Sequence, residues 1–439
     1  MKIKIDFGAI RIFAVAMAAL MLLSTSVSCA SPPAAPQPDR TVTADYEIIH
    51  ATIQQPVDHD KSSGPSFSEE VNVLIPKGAS VDSSPVFFLL GNEHDITVKE
   101  LPKFYKEYGA PKDVIFLQAE HRGYGQSINP DSDQTVPSYV TINQALADYH
   151  DVVQKFKQKY TGPWMAAGHS YGGGLVINFA ASYPNDVKVI LSSSGVVDWP
   201  FMMDAYDRQV RITMGDETYQ RLVAHINNLE PQQIFDQNWL EREFLIAFIH
   251  GMTQYGQYKP LLPVFKAFAS LPTPSFLGVL HFLDDTIAQK GAWKYAASNS
   301  KKTLTYDEAV SGDYGWRVWR YQQCVETGIF EVSAQPGGVF TRGKDDFIAE
   351  SLALFGADPK SATAAAWSPR VMLERLTVPM IYVGGGMDPW LGLGLTKDYV
   401  IKNGKYFYVP EGQHCPDLDD GVLGRQVIAE MLKYAGSGK

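Results

Sequence analysis

The 439 residues are 45% hydrophobic and 12% aromatic, with a formal net charge of −10. That apolar content fills a sizeable core, and the length suits one large α/β core carrying an inserted lobe, or two domains. The acidic balance, with no Lys/Arg block in the mature region, speaks against nucleic acid as a partner.

The chain opens on a processing segment. Lys2, Lys4 and Arg11 precede the apolar run Ile12–Leu23, followed by the small residues Ser24–Ala30. This reads as a secretory signal at 1–30, its apolar part too short for a membrane span. Cleavage after Ala30 uses Ser28 and Ala30 as the two small positions. Cys29 offers the alternative of a lipoprotein, attached to a membrane only through its acylated thiol. Ser26, however, stands where a lipobox prefers a large aliphatic residue. A secreted or periplasmic protein is therefore expected, with an outer-membrane or surface lipoprotein as the alternative. The Pro- and Ala-rich stretch 31–44 reads as a tether with no packing role.

From residue 45 short apolar runs alternate with helical periods. Strands are expected at Val71–Ile75, Pro85–Leu90, Val114–Gln118, Trp164–Ala167, Val187–Leu191, Met380–Val383 and Tyr406–Val409. Most are continuous apolar runs bounded by Gly, Pro or Asp, as suits parallel strands buried on both faces. Ala145, Leu146, Tyr149, Val152, Val153, Phe156 and Tyr160 recur at i, i+3, i+4 spacing, the signature of an amphipathic helix. Pro184 stops a second helix near Tyr183, and a last one spans roughly Leu423–Tyr434. Between 200 and 368 the patterning is helical and rich in aromatics, as in Phe235–Tyr255 and Lys259–Phe268. The expected layout is α/β, a doubly wound, mostly parallel sheet from 45–199 and 369–439, with a helical cap at 200–368 inserted between its halves.

Gly168-His169-Ser170-Tyr171-Gly172 follows the apolar run Trp164–Ala167 and opens a Gly-rich helix. This is the G-x-S-x-G pattern of a nucleophile elbow, where a strand turns sharply into a helix and exposes the serine hydroxyl. A serine needs a base to take its proton, and the base needs an acid to orient it. On such a sheet both follow the serine in chain order. Of ten histidines, His50, His59, His94, His121, His150 and His169 precede Ser170, and His225, His250 and His281 fall in helical cap patterns. His414 alone follows the final strand and is the expected base. Asp388, just past Met380–Val383 and the turn Gly384-Gly385-Gly386, is the expected acid; Asp417, Asp419 and Asp420 lie beyond the histidine. The oxyanion hole needs two backbone N–H donors, expected at Tyr171 and at Gly91 or Asn92. No metal-ligand spacing and no Gly-rich dinucleotide or phosphate fingerprint appears, so no cofactor or metal is expected. Two cysteines remain after the signal, Cys324 and Cys415, and either a disulfide or two buried thiols suits them.

These residues belong to a longer run of motifs. Gln54-Gln55-Pro56-Val57-Asp58-His59, Gly91-Asn92-Glu93, Glu120-His121-Arg122 through Ser127, Gln144-Ala145-Leu146-Ala147-Asp148, the elbow, Trp319 through Glu326, Asp388-Pro389-Trp390 and His414 through Leu418 occur in that order. Together they resemble the serine peptidase family that holds lysosomal prolyl carboxypeptidase and dipeptidyl peptidase II. A bacterial group of prolyl tri- and aminopeptidases shares the opening motif and remains a close competitor. The resemblance implies an α/β-hydrolase fold and a serine exopeptidase that cleaves peptide substrates on the carboxyl side of proline. It maps a wall of the proline pocket onto Trp390, with Trp319 and Tyr321 as further candidates. One departure is that Gly174 stands where the family usually has methionine in that pocket, leaving a wider slot or one filled by cap aromatics. Gly123 likewise replaces a bulky aromatic. Glu93, Glu120 and Glu326 are candidates to hold a substrate amine, and Arg122 a weaker candidate for a carboxylate; alternatively Glu120 and Arg122 form a buried structural pair. Three acids near one base favour release of short N-terminal peptides over C-terminal trimming. An esterase or lipase on the same machinery, or a binding protein that has lost catalysis, are the rival readings. Whether subunits pair is left open, a homodimer included.

Overall fold

The computed structural model describes residues 39–436, excepting 62, 200, 234–235, 256–259, 287–290, 301–302, 312–315, 328, 331–337, 340–343, 357–367 and 420. The expected signal segment and the first part of the linker lie outside the described residues. The end of that linker is not a free tether. Strand β1 (Asp39–Val42) pairs antiparallel with β2 (Tyr46–Pro56) at the sheet edge, although its side chains stay exposed. Next in order are β3 (Ser66–Pro76), β4 (Val86–Leu90), β5 (Ile115–Ala119), β6 (Trp164–His169) and β7 (Ile190–Ser193). Every residue of β4, β5, β6 and β7 is buried. Their uninterrupted apolar runs suit strands covered on both faces.

After β7 the described chain is largely helical until the sheet resumes. One short parallel pair, β8 (Phe201–Met202) with β9 (Ile329–Phe330), joins the two ends of this region. Its helices include Asp204–Met214, Gln237–Gln254 and Trp316–Gln322. Asp236 starts the second of these by accepting the Trp239 N–H at 2.8 Å, which satisfies a donor the helix itself cannot. Strands β10 (Met380–Gly385) and β11 (Gly404–Val409) then return to the sheet.

The strand order is β1-β2-β3-β5-β4-β6-β7-β10-β11. The β1–β2, β2–β3 and β3–β5 pairs are antiparallel, and every other pair in this sheet is parallel. This is the α/β-hydrolase fold. Two cores flank the sheet, the smaller centred on Phe87, Phe116, Met165 and the C-terminal helix Gly421–Gly436. Strand β7 starts three residues later than the apolar run predicts, and β1 and β2 carry no clear run of their own. The topology collects the carboxyl ends of β6, β7, β10 and β11 along one rim, where α/β sheets bind ligands.

Candidate active site

Strand β6 ends at His169 and a helix begins at Tyr171, so Ser170 is the entire turn. It sits at φ 56°, ψ −123°, a backbone state unfavourable for a residue with a side chain. Two hydrogen bonds hold it there: its N–H donates to the Ser193 carbonyl and its own carbonyl accepts from Gly173, both at 2.9 Å. The flanking glycines are required by close approach. A Cβ on Gly168 would lie 1.9 Å from the Gly172 oxygen, and one on Gly173 would lie 2.6 Å from Gly195 Cα.

The expected acid and base, Asp388 and His414, stand on the loops after β10 and β11. Gly386 N–H to Val409 O and Met387 N–H to Gly412 O, each 2.8 Å, bind the two loops together. Asp388 Oδ2 then lies 2.9 Å from His414 Nδ1, while Asp388 Oδ1 accepts the Trp390 N–H at 2.9 Å. Both side chains are buried. Burial alone would lower the proton affinity of the imidazole, but the Asp388 carboxylate outweighs it and holds His414 well above the usual histidine range. The carboxylate at Nδ1 leaves Nε2 as the nitrogen available to a substrate or hydroxyl. Nε2 has no hydrogen-bond partner, so the Ser170 hydroxyl is not bonded to it in this state. The backbones nonetheless meet: the Ser193 carbonyl that accepts Ser170 N–H also takes the thiol of Cys415, next to the base, at 3.7 Å. The N–H of His414 donates to Gln254 O, the last residue of the cap helix Gln237–Gln254, at 3.0 Å.

Tyr171, first residue of the elbow helix, presents its N–H at the positive end of that helix. The loop after β4 lies against the same turn, with Asn92 Cβ 3.3 Å from where a Cβ on Gly172 would stand. Gly91 cannot carry a side chain, since a Cβ would lie 2.3 Å from the His121 nitrogen. Its carbonyl is fixed by the Tyr149 hydroxyl at 2.9 Å.

Around this rim the structure sorts the remaining candidates. The Trp390 ring packs edge-on to Tyr206 at 4.8 Å, with His250 beyond at 6.3 Å. Trp319 packs against Tyr171 at 5.0 Å, whereas Tyr321 turns into a separate cluster against Phe355. Glu120 is consumed by the N–H groups of Ile96, Gln126 and Ser127 and the Ser127 hydroxyl. Its expected pairing with Arg122 does not occur. Arg122 instead grips Asp148 through two nitrogens at 2.6 Å each and donates to the carbonyls of Pro56, Val57 and Tyr139. A bidentate carboxylate matches the guanidinium fork better than a carboxylate already filled by backbone donors. Glu326 accepts the Ile142 N–H at 3.0 Å. Glu93 differs, because its Oε2 is buried with no hydrogen-bond partner. Of the two readings for the cysteines, the disulfide does not form: Cys324 and Cys415 are both buried thiols that are not joined to each other. Cys324 packs in the small Tyr321 cluster, and Cys415 sits at φ 54° on the Ser193 carbonyl, so each thiol is committed to a different neighbourhood.

No motif or spacing marks Trp199, which stacks on Tyr171 at 5.7 Å, or Tyr206 beside Trp390. Gln322, whose Nε2 donates to the Tyr171 hydroxyl at 3.0 Å and whose Oε1 accepts from Tyr124, lay within the Trp319–Glu326 motif without a role of its own. Trp199 also answers the question posed by Gly174. A Cβ there would lie 2.7 Å from Val196 O and 3.0 Å from the Trp199 ring, so no widened slot opens at this point.

Residues 76–228 match the family described as Serine carboxypeptidase S28. Lysosomal Pro-X carboxypeptidase of Homo sapiens is 22% identical over 427 residues, covering 86% of this chain and 84% of that one. The Bos taurus protein of the same name is 23% identical with the same coverage. Over residues 76–228, then, the chain is similar to the S28 serine carboxypeptidases. It is a serine-type peptidase, a hydrolase. Thymus-specific serine protease of Mus musculus is a further relative, 22% identical over 80% of each chain. Among solved structures, a probable hydrolytic enzyme from Pseudomonas aeruginosa aligns with TM-score 0.46 and 12% identity, over 87% of this chain and 94% of that one. No described helix is long and apolar enough to cross a membrane. Among the described residues no group of three His, Cys, Asp or Glu side chains could hold a metal ion.

Proposed function

We propose that this serine-type peptidase is an S28 member, a secreted exopeptidase that hydrolyses the bond on the carboxyl side of proline through Ser170, His414 and Asp388. The observation that carries the reading is the 2.9 Å contact between Asp388 Oδ2 and His414 Nδ1, on loops that abut the strained Ser170 turn. Ser170 Oγ attacks the substrate carbonyl while His414 Nε2 takes its proton, and the imidazolium is stabilised by Asp388. The N–H of Tyr171 and that of Gly91 or Asn92 bind the oxyanion. His414 then gives its proton to the leaving amine, and water repeats the sequence to release the acyl group. Proline lacks an N–H and carries a rigid ring, so flat aromatic walls can select it without backbone pairing; Trp390 and Trp319 supply candidate walls. Secretion is supported by the pattern of residues 1–30, with a lipid anchor at Cys29 as the alternative.

Glu93 supports removal of short N-terminal peptides. It is an acid on the loop beside the elbow with an unpartnered buried oxygen, able to receive a free amine. Arg122, the candidate for a C-terminal carboxylate, is already committed to Asp148. The similarity to Pro-X carboxypeptidases favours the second reading, C-terminal trimming. Mass spectrometry of proline-containing peptides blocked at one end or the other decides between them. Cleavage of only C-terminally blocked peptides supports the amino-terminal reading, and cleavage of only N-terminally blocked ones overturns it. Turnover of acyl esters with no amide cleavage would make the protein an esterase instead.

A further inference from the structure

The base loop and the nucleophile turn are joined from behind by a carboxylate with no part in the proton transfer. Asp417, three residues after His414, is fully buried. One of its oxygens accepts the Ser193 hydroxyl, and the other accepts the Tyr108 hydroxyl at 2.6 Å. Tyr108 has one hydroxyl proton and gives it to Asp417, so its oxygen, 2.9 Å from His169 Nε2, must accept a hydrogen from that nitrogen. His169 Nε2 also lies 3.6 Å from Asp417 itself. Burial opposes ionisation of Asp417, but these partners outweigh it and hold its carboxyl below the usual range. Asp417 is thus a buried anion bonded to the strand end that accepts Ser170 N–H and, through Tyr108, to the residue preceding Ser170.

Backbone strain coincides with this web. Four described non-glycine residues have positive φ, and three belong to the segments that Asp417 joins: Ser170 at 56°, Ser194 at 45° and Cys415 at 54°. The Cys415 N–H donates to the Ser194 hydroxyl at 2.8 Å, locking two of these turns to each other. Such conformations cost of order 1–3 kcal/mol each and persist only where surrounding contacts over-determine them. A buried charge with directional partners on each segment supplies that constraint, where apolar packing would tolerate sliding.

We propose that Asp417 is a positioning residue that sets the separation of the Ser170 turn and the His414 loop. The inference rests on the reading of Ser170 and His414 as nucleophile and base. Asp417→Asn keeps the volume and removes the charge. A displacement of about 1 Å at a reacting centre can cost 100-fold in rate. The expected result is a fall of about 30- to 100-fold both in kcat and in the rate of labelling by a fluorophosphonate, with KM changed less than about 3-fold. A merely structural residue would lower the melting temperature without splitting kcat from KM. Tyr108→Phe, which removes one arm, should produce a smaller loss, and adding it to Asp417→Asn should cost little more. Should Asp417→Asn fail to fold, Ser193→Ala serves, with labelling at least about 5-fold slower expected. Labelling and kcat within about 3-fold of wild type in either folded variant would overturn the inference. Wild-type protein that labels but spares proline amides would sink the proline reading and leave this test intact; wild-type protein that takes no label would remove both.

Discussion

Ser170, the proposed nucleophile, is held in one conformation by its neighbours. The turn at φ 56° is held by hydrogen bonds on both sides and glycines at 168, 172 and 173. Replacing the hydroxyl leaves all of these in place. Ser170→Ala is therefore expected to lower kcat/KM by at least about 1,000-fold while thermal melting stays near wild type; near-normal hydrolysis would discard the mechanism. His414 invites a second test. Its proton affinity is held well above the usual histidine range by Asp388 acting against burial, yet it must be neutral to accept the serine proton. Activity should therefore rise with pH along an acid limb whose midpoint lies above about 6.5, the ordinary histidine value. In Asp388→Asn the rate should fall by about 10,000-fold and the midpoint of the residual activity should move down. A limb below pH 6 in the wild-type protein would contradict this account.

Among the elements, the elbow helix Tyr171–Ser182 has the least freedom. All its residues through Ala180 are buried, and Gly174 meets Val196 O, Trp199 and Pro369 within 3.1 Å of a notional Cβ. The large side chain that family resemblance places there cannot be restored without displacing the loop after β7. Gly174→Met is expected to cost about 2 kcal/mol by overpacking, measured by denaturant unfolding. It should not sharpen selectivity for proline over alanine, because the space is already taken by the indole. A gain in both stability and selectivity would show that the loop can yield. Motifs far apart in the chain also combine here. Gln55 donates to Glu69 at 2.6 Å, His59 approaches Asp148 at 2.7 Å, and Arg122 binds Asp148. The opening motif, the Glu120–Arg122 segment and the helix Ile142–Lys157 are thus one buried polar joint, about which the antiparallel strands meet the parallel half.

For the molecule as a whole, two adjacent buried residues set opposed pH responses. Burial raises Glu120 to about 7 from 4.5, against the four donors around it. Burial lowers His121 from 6.5 to about 4, against its bond to the Arg122 carbonyl. Folding thus favours protonated Glu120, whose contribution is complete below about pH 4.5 and is lost as pH rises through 7. It also favours neutral His121, whose contribution is complete above pH 6.5 and is lost as pH falls through 4. Each is worth roughly 3 kcal/mol, and between these limits they offset one another. In His121→Asn, stability should fall as pH rises from 4.5 to 7; in Glu120→Gln it should fall as pH drops from 6.5 to 4. Parallel stability profiles for the two variants and wild type would refute the opposition.

The proposed nucleophile, acid and base are each announced locally in the chain, by an apolar run that ends in glycines or in a loop. The central strands were legible for the same reason, since burial on both faces writes an unbroken apolar stretch. Strands β1 and β2 were not, because the exposed edge strand β1 and the only partly buried β2 impose no such pattern. Pairings between distant side chains were hidden as well. Arg122 chose Asp148 over Glu120, the two thiols went to separate neighbourhoods, and Trp199 came to fill the space beside Gly174. Local order along a chain names which residues can do chemistry, through backbone geometry and periodicity. Which of them meet depends on how strands are ordered in the sheet and how loops pack across its rim, and no spacing along the chain encodes that.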